Sequence, residues 1–190
     1  MTPDAALEGA FLAAPRPAFL PDDQRGFADL DQPLPIGWRQ TNSQPRTVRT
    51  MLGLLDVRTG HRVLDVGCGS GWTTALLAHL VGPDGLVVGV EIVPELVAFG
   101  RANLSSLDVQ NARVEAALTG VLGWPGEAPY DRVLVSAEAH GMPWDLAQQV
   151  DRDGGVMVVP VDGTLVELRH EQGRATLVRH GHYAFVPLIR

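Results

Sequence analysis

The 190-residue chain has no lysine, a single cysteine and no apolar run approaching the roughly 18 residues needed to cross a bilayer. With Cys68 alone, no internal disulfide can form, which fits a reducing compartment, and Cys68 reads as a small residue in a tight loop. Residues 1–14 carry Asp4 and Glu8 and no basic start, so neither a signal peptide nor a transmembrane helix is expected. The expectation is a cytoplasmic protein without a membrane partner. A net charge of −7 and the lack of any long basic block argue against nucleic acid as a partner. The sequence also lacks internal repeats and low-complexity stretches. Its length fits one domain, residues 1–190, able to bury a sizeable core as a monomer.

What is present is organised around residues 63–71, Val-Leu-Asp-Val-Gly-Cys-Gly-Ser-Gly. The apolar run Val63, Leu64, Val66 enters a loop with glycines at 67, 69 and 71, and residues 73–80 then show helical apolar spacing. This is the strand, glycine turn and helix start of a nucleotide-binding βαβ unit. A second strand, residues 86–90, ends on Glu91, about 20 residues after Gly71, where such folds place a carboxylate for ribose hydroxyls. The glycines are spaced G-x-G-x-G and not G-x-G-x-x-G, and Asp65 lies two residues before the first. A carboxylate there would repel a pyrophosphate but suit a ligand carrying an ammonium and a sulfonium. S-adenosylmethionine (AdoMet) is such a ligand, and amides opening the next helix suit its methionine carboxylate. A nicotinamide dehydrogenase is disfavoured on the same grounds.

Around this unit the chain alternates strands and helices. Residues 4–14 predict a short amphipathic helix ended by prolines 15, 17 and 21, and residues 22–35 a loop lying over a site. Residues 46–55, apolar at 48, 51, 52 and 55, predict a core-facing helix with Pro45 in its first turn and Ser43 as its cap. Helices follow at 94–107 and 144–150, and strands at 112–116, 130–136 and 156–161. Such alternation implies a mostly parallel sheet with helices on both faces, a Rossmann-like α/β fold. Residues 165–170 and 176–186 predict an antiparallel pair closing one edge. Within the domain, residues 1–55 are expected to cover substrate and cofactor, 56–163 to form the cofactor-binding core, and 164–190 the antiparallel strands. His180 and His182 share a face of a predicted edge strand without a neighbouring acidic or sulfur ligand in sequence, so no metal is expected.

Further segments carry a resemblance. Pro-Arg-x-x-Phe-Leu-Pro at 15–21, Pro-Ile-Gly-x-x-Gln-Thr-x-Ser-Gln-Pro at 35–45, Gly123-Trp124 with Ala128-Pro129-Tyr130-Asp131, Gly154-Gly155 with Pro160-Val161, and Phe-Val-Pro-Leu at 185–188 occur in order. Together with the glycine loop they resemble the protein-L-isoaspartate O-methyltransferase family. The loop is common to most AdoMet enzymes, whereas Gln-Thr-x-Ser-Gln-Pro and the terminal Phe-Val-Pro-Leu are particular to this one. The resemblance implies methylation of the free carboxylate of an L-isoaspartyl residue in a damaged protein or peptide, giving an ester that closes to a succinimide. By the same resemblance Ser43 is the active-site hydroxyl, and Ile36 and Gly37 shape the substrate pocket with it. Gln40, Thr41 and Asn42 lie along the cofactor, Asp65 and Glu91 bind its methionine and ribose parts, and Gly67, Gly69, Ser70, Gly71, Ile92, Thr119 and Gly120 complete its site.

The chain departs from the family pattern in three places. Leu118-Thr119-Gly120 stands where the family usually has Gly-Asp-Gly; a neutral acceptor for the adenine amino group is weaker than a charged one, so looser cofactor binding is expected. The N-terminal segment is short. After the fourth core strand, Ser136-Ala137-Glu138-Ala139-His140-Gly141 replaces small residues, and strand ends of open α/β sheets are where ligands sit. His140 as a general base would change the substrate class, to another peptide carboxylate or a small molecule, against the plainer reading of a solvent-facing Glu138 and His140. A third alternative is an AdoMet-binding protein with reduced catalysis.

Overall fold

The computed structural model describes residues 3–189. Helix α1 (Pro3–Ala13) is followed by two 3-10 turns, Arg16–Phe19 and Asp22–Phe27. The hairpin β1 (Leu34–Gly37) and β2 (Gln40–Asn42) leads into α2 (Pro45–Leu55). The core then runs β3 (Arg62–Val66), α3 (Trp72–Val81), β4 (Leu86–Glu91), α4 (Pro94–Ser106), β5 (Ala112–Ala116), β6 (Arg132–Val135), α5 (Trp144–Ala147) and β7 (Val156–Val161). The final strands are β8 (Thr164–Glu171) and β9 (Arg174–His182).

Seven strands form one sheet in the order β5-β4-β3-β6-β7-β8-β9, parallel from β5 to β7 and antiparallel across β7-β8 and β8-β9. Alternate residues divide its two faces, because successive side chains of a strand point to opposite sides. Val63, Val87, Leu134 and Val158 join the core under α1 to α4, while Leu64, Val88, Val135 and Val159 pack on the other face with Tyr130, Leu146 and Val150. Helix α2 buries Val48, Met51, Leu52 and Leu55, the stripe its spacing predicts. Helix α3 buries eight of its ten residues, as a helix apolar nearly all round must. The connections from β3 run to β4 on one side and, after β5, back to β6 on the other. The crevice outside the C-terminal ends of β3 and β6 is therefore the topological switch point where open α/β sheets bind ligands.

Four expectations are corrected. The segment 22–35 is no plain loop: it holds a 3-10 turn and the first residues of β1, because the hairpin pairs Leu34 with Asn42 and Pro35 with Thr41. Ser43 does not cap α2. Gln44 occupies that position without a side-chain cap bond, and the Arg46 N–H donates to Asp31 Oδ1 at 2.9 Å. Helix α5 stops at Ala147 instead of 150, since the Tyr130 N–H takes the Gln149 carbonyl and the Asp151 N–H donates to the Tyr130 carbonyl. Strand β9 stops at His182 instead of 186. After a register shift at Thr164/Leu165 the chain leaves the edge, the Glu138 N–H donates to the Val186 carbonyl and the Leu188 N–H to the Glu138 carbonyl. Among the described residues no helix is long and apolar enough to cross a membrane.

Candidate active site

The glycine loop is built from its backbone. Gly67, Gly69 and Gly71 have φ of 74°, 54° and 82°, in the left-handed region that side chains avoid. The N–H groups of Gly67 and Cys68 donate to the Val90 carbonyl, pinning the loop to β4. Asn103 of α4 donates from Nδ2 to the Ser70 carbonyl at 2.9 Å. Burial pushes the Cys68 thiol well above its usual range, with the carboxylates of Asp65 and Glu91 adding to the shift, so it is inert packing.

Asp65 ends up beneath the loop, not in it. Its side chain is on the α3 face of β3 with 0% exposure, and its Oδ2 accepts from the hydroxyls of Thr73 and Thr74 at 2.7 Å each. Ser136 Oγ lies 3.5 Å from Oδ1. Burial raises this carboxyl to about 6, with the three hydroxyls opposing the rise and the Glu91 charge adding to it. Glu91, also buried, accepts from Gly69 N–H at 2.9 Å on Oε2 and from Ile92 and Val93 N–H at 2.7 and 2.9 Å on Oε1. Its carboxylate thus holds the loop beside the crevice.

Three cavities meet here. A small one is lined by Thr41, Asn42, Ser43, the loop residues Gly67 to Ser70, Trp72, Thr73 and Ser136. A second, of about 250 Å³, continues from Gly67 past Ile92, Thr119 and Gly120 to Leu188 and Ile189. A third, of about 520 Å³, is walled by Pro33, Thr47, Thr50 and the segment His182 to Val186. Thr41, Ser43 and Ser136 line both the first and the third, so they stand at the junction between them.

Most of the expected residues come together in this way, and six do not line these cavities. Gly71 opens α3 with its backbone against Gly100, and Asp65 and Glu91 act from below and from the side. Gln40 reaches back to the Trp38 carbonyl at 3.5 Å, within its own hairpin. Ile36 and Gly37 border a separate apolar hollow of about 560 Å³ with Pro21, Trp38 and Phe99. Ile36 is 2% exposed, and its Cδ1 would lie 3.2 Å from a Cβ on Gly69, so it supports the loop from behind. His140 is 91% exposed on its side chain, 3.6 Å from Asp162, outside the three cavities, and Glu138 serves through its backbone as the anchor of the C-terminal segment. His180 is not a plain surface residue: its Nε2 lies 2.7 Å from the buried Glu167 carboxylate, which also pairs with Arg169.

Sequence reasoning missed Ser136, Leu188, Ile189 and the stretch 182–186 as cavity walls, and Arg16 as a buried hub. Ser136 had a usable signal, since it follows a core strand at the switch point.

The model of the family Protein-L-isoaspartate(D-aspartate) O-methyltransferase (PCMT) matches residues 2–190. The chain belongs to this family. A PCMT family relative from Methanopyrus kandleri, named protein-L-isoaspartate O-methyltransferase, is 47% identical over 95% of this chain and 81% of its own. One of the same name from Pyrococcus horikoshii is 40% identical over 96% of this chain and 84% of its own. Among solved structures, a protein-L-isoaspartate O-methyltransferase superposes with a TM-score of 0.86 at 23% identity, over 96% of this chain and 60% of that one. A Plasmodium falciparum protein named for the same activity, in complex with S-adenosyl-L-homocysteine, gives 0.83 at 23% identity over 99% and 92%. At such identity these two speak for the fold, a Rossmann-like methyltransferase arrangement.

Proposed function

We propose that the chain transfers the methyl group of AdoMet to the free carboxylate of an L-isoaspartyl residue in a damaged protein or peptide. The observation that carries this reading is the junction at Thr41, Ser43 and Ser136, where the cavity along the glycine loop opens into a larger one walled by the C-terminal segment. Two reactants held in the two cavities would meet there. Family membership and the shared name of the relatives support the same reaction.

The residues present fit AdoMet. The positive-φ glycines leave no side chain over the loop, and two buried carboxylates, Asp65 and Glu91, put negative charge beneath and beside a crevice that would take a cation. Glu91 has lone pairs left for ribose hydroxyls after its three amide bonds. Ile92, Thr119 and Gly120 line the cavity on the side expected for the adenine, and Thr41, Asn42 and the loop from Gly67 to Ser70 line that for the methionine end. When bound, AdoMet supplies a methyl group activated by an adjacent sulfonium.

The rest of the chemistry belongs to this chain. A carboxylate with a pKa near 4 is already ionised at neutral pH, so no general base is needed. Ser43 donates a hydrogen bond that orients one carboxylate oxygen, and the hairpin and C-terminal segment exclude water from the approach. His140, exposed and beside Asp162, has no position from which to take a proton in these cavities. In this reading residues 1–190 act as one domain and as a monomer in the cytoplasm, with residues 1–55 covering the site. The test is methyl transfer from AdoMet to paired peptides differing only in Asp against isoAsp, counted by mass spectrometry. A 14-Da gain confined to the isoAsp peptide upholds the reading, and no gain on either rejects it.

A further inference from the structure

We propose that Arg16 is a positioning residue for methyl transfer, fixing the Asn42–Ser43 backbone at the junction of the two cavities. The inference rests on the role given to Ser43 above. Arg16 is 6% exposed, and its five N–H donors make six hydrogen bonds. Nε donates to Asn42 Oδ1 at 2.8 Å, Nη1 to the carbonyls of Ala28 and Leu30 at 3.1 and 2.9 Å, and Nη2 to those of Gln32, Asn42 and Ser43 at 2.8, 3.2 and 3.0 Å. Half of these bonds therefore end on Asn42 and Ser43, and half on the segment that leads into β1.

Among the described residues no carboxylate forms an ion pair with this guanidinium, and Asp31 acts on it only through its field. A buried cation compensated by carbonyl dipoles is a costly choice for mere packing, which an apolar residue would serve better. What the planar fork provides is direction: its donors are rigidly disposed, so acceptors on both sides of the β1-β2 hairpin are held at fixed places. The guanidinium carbon also sits 5.4 Å from the centroid of Trp72, the first residue of α3, whose indole N–H donates to the Ala14 carbonyl at 3.0 Å. Asn42 completes the link by donating from Nδ2 to Ser70 Oγ at 3.3 Å. Ser43 is in this way tied to the glycine loop by a chain of directional contacts. Lysine would keep the charge but bring only three donors from one nitrogen and no planar fork.

The test is a double-mutant cycle in the full chain. Arg16→Lys is expected to lower kcat on the isoAsp peptide on the order of 10- to 100-fold, the scale of an ångström-level misplacement, with the peptide KM and the AdoMet affinity within about threefold. In the Ser43→Ala background the same substitution is expected to cost less than about threefold, because the group it positions is gone. Equal losses in both backgrounds, or no loss in the first, would overturn the proposal. Independently of turnover, amide hydrogen exchange at residues 42–44 should quicken in Arg16→Lys while the amides of β3 and β6 stay protected; unchanged exchange at 42–44 also overturns it. Should Arg16→Lys fail to fold, Asn42→Ala, which removes the Nε acceptor and the link to Ser70, takes its place under the exchange criterion alone, because Asn42 also lines the cofactor cavity. A wild-type chain inactive on the isoAsp peptide would count against the proposed reaction, and the exchange measurement would still judge the clamp.

Discussion

Thr74 Oγ1 donates to Oδ2 of Asp65 at 2.7 Å, the same oxygen that Thr73 Oγ1 reaches from the neighbouring position on α3. The two hydroxyls hold, inside the protein, a carboxyl that burial raises to about 6. Its folded pKa lies above its ordinary value near 4, so the unfolded chain loses this proton first. Between about pH 4 and 6 stability therefore falls as pH rises, by at most about 3 kcal/mol from this group, and above 6 the loss is complete. Asp65→Asn removes that dependence: the stability of the variant relative to wild type, followed by chemical unfolding, should rise between pH 4 and 6 and then level off.

The same carboxyl makes a prediction for binding. A cation in the crevice favours ionised Asp65, so AdoMet affinity should increase as pH rises through about 6 and flatten above 7. Calorimetric titration across that range checks it, with Asp65→Asn expected to show a shallower profile.

Ser43 lines both the loop cavity and the larger cavity. In the role proposed for Ser43, removing its hydroxyl would take away a hydrogen bond to a charged group, which corresponds to about a 10- to 100-fold fall in kcat on an isoAsp peptide. Ser43→Thr, which keeps the hydroxyl, should recover part of the rate by the mass-spectrometric assay.

A Cβ on Gly89 would lie 2.8 Å from Thr74 Oγ1 and 3.1 Å from Cys68 Sγ. Gly89→Ala is expected to displace the Thr74 hydroxyl from Asp65 and to destabilise the fold by about 1–3 kcal/mol, as overpacking does. Thermal unfolding measures the loss, and AdoMet titration should show weaker binding.

Thr119 stands exposed on the wall of the second cavity. Replacing its neutral acceptor with a carboxylate, Thr119→Asp, should tighten AdoMet binding several-fold, since charge-assisted hydrogen bonds are about twice as strong as neutral ones. His140→Ala, by contrast, should leave turnover and its pH profile unchanged, because that side chain faces solvent beside Asp162.

The core of the fold was legible because its signals are local and periodic. The alternation of strand and helix, the α2 stripe at 48, 51, 52 and 55, and the glycine loop each follow from spacing within a few residues. The misreadings concern long-range contacts. Nothing near Ser43 in sequence announces that Asp31 supplies the acceptor for the Arg46 amide in the first turn of α2, or that Arg16 reaches 26 positions ahead to Asn42. The end of β9 depends on Gly163 and Glu138, which take up Tyr183 and Leu188. Likewise the sequence marks Asp65 as an acid beside the glycine loop, but not its direction: the alternation along β3 turns it under the loop onto two threonines of α3.

Gly71 and Gly100 touch through their backbones. A Cβ on Gly71 would lie 3.3 Å from the Gly100 carbonyl oxygen, and one on Gly100 would lie 3.2 Å from that of Gly69. Helix α4 thereby stands as a close backstop behind the loop, to which Asn103 also ties it. A loop so backed has less ordering entropy to lose on capture, which favours binding. Each glycine is constrained on its own account, because the Cβ it lacks would meet backbone atoms that no substitution of the neighbour removes.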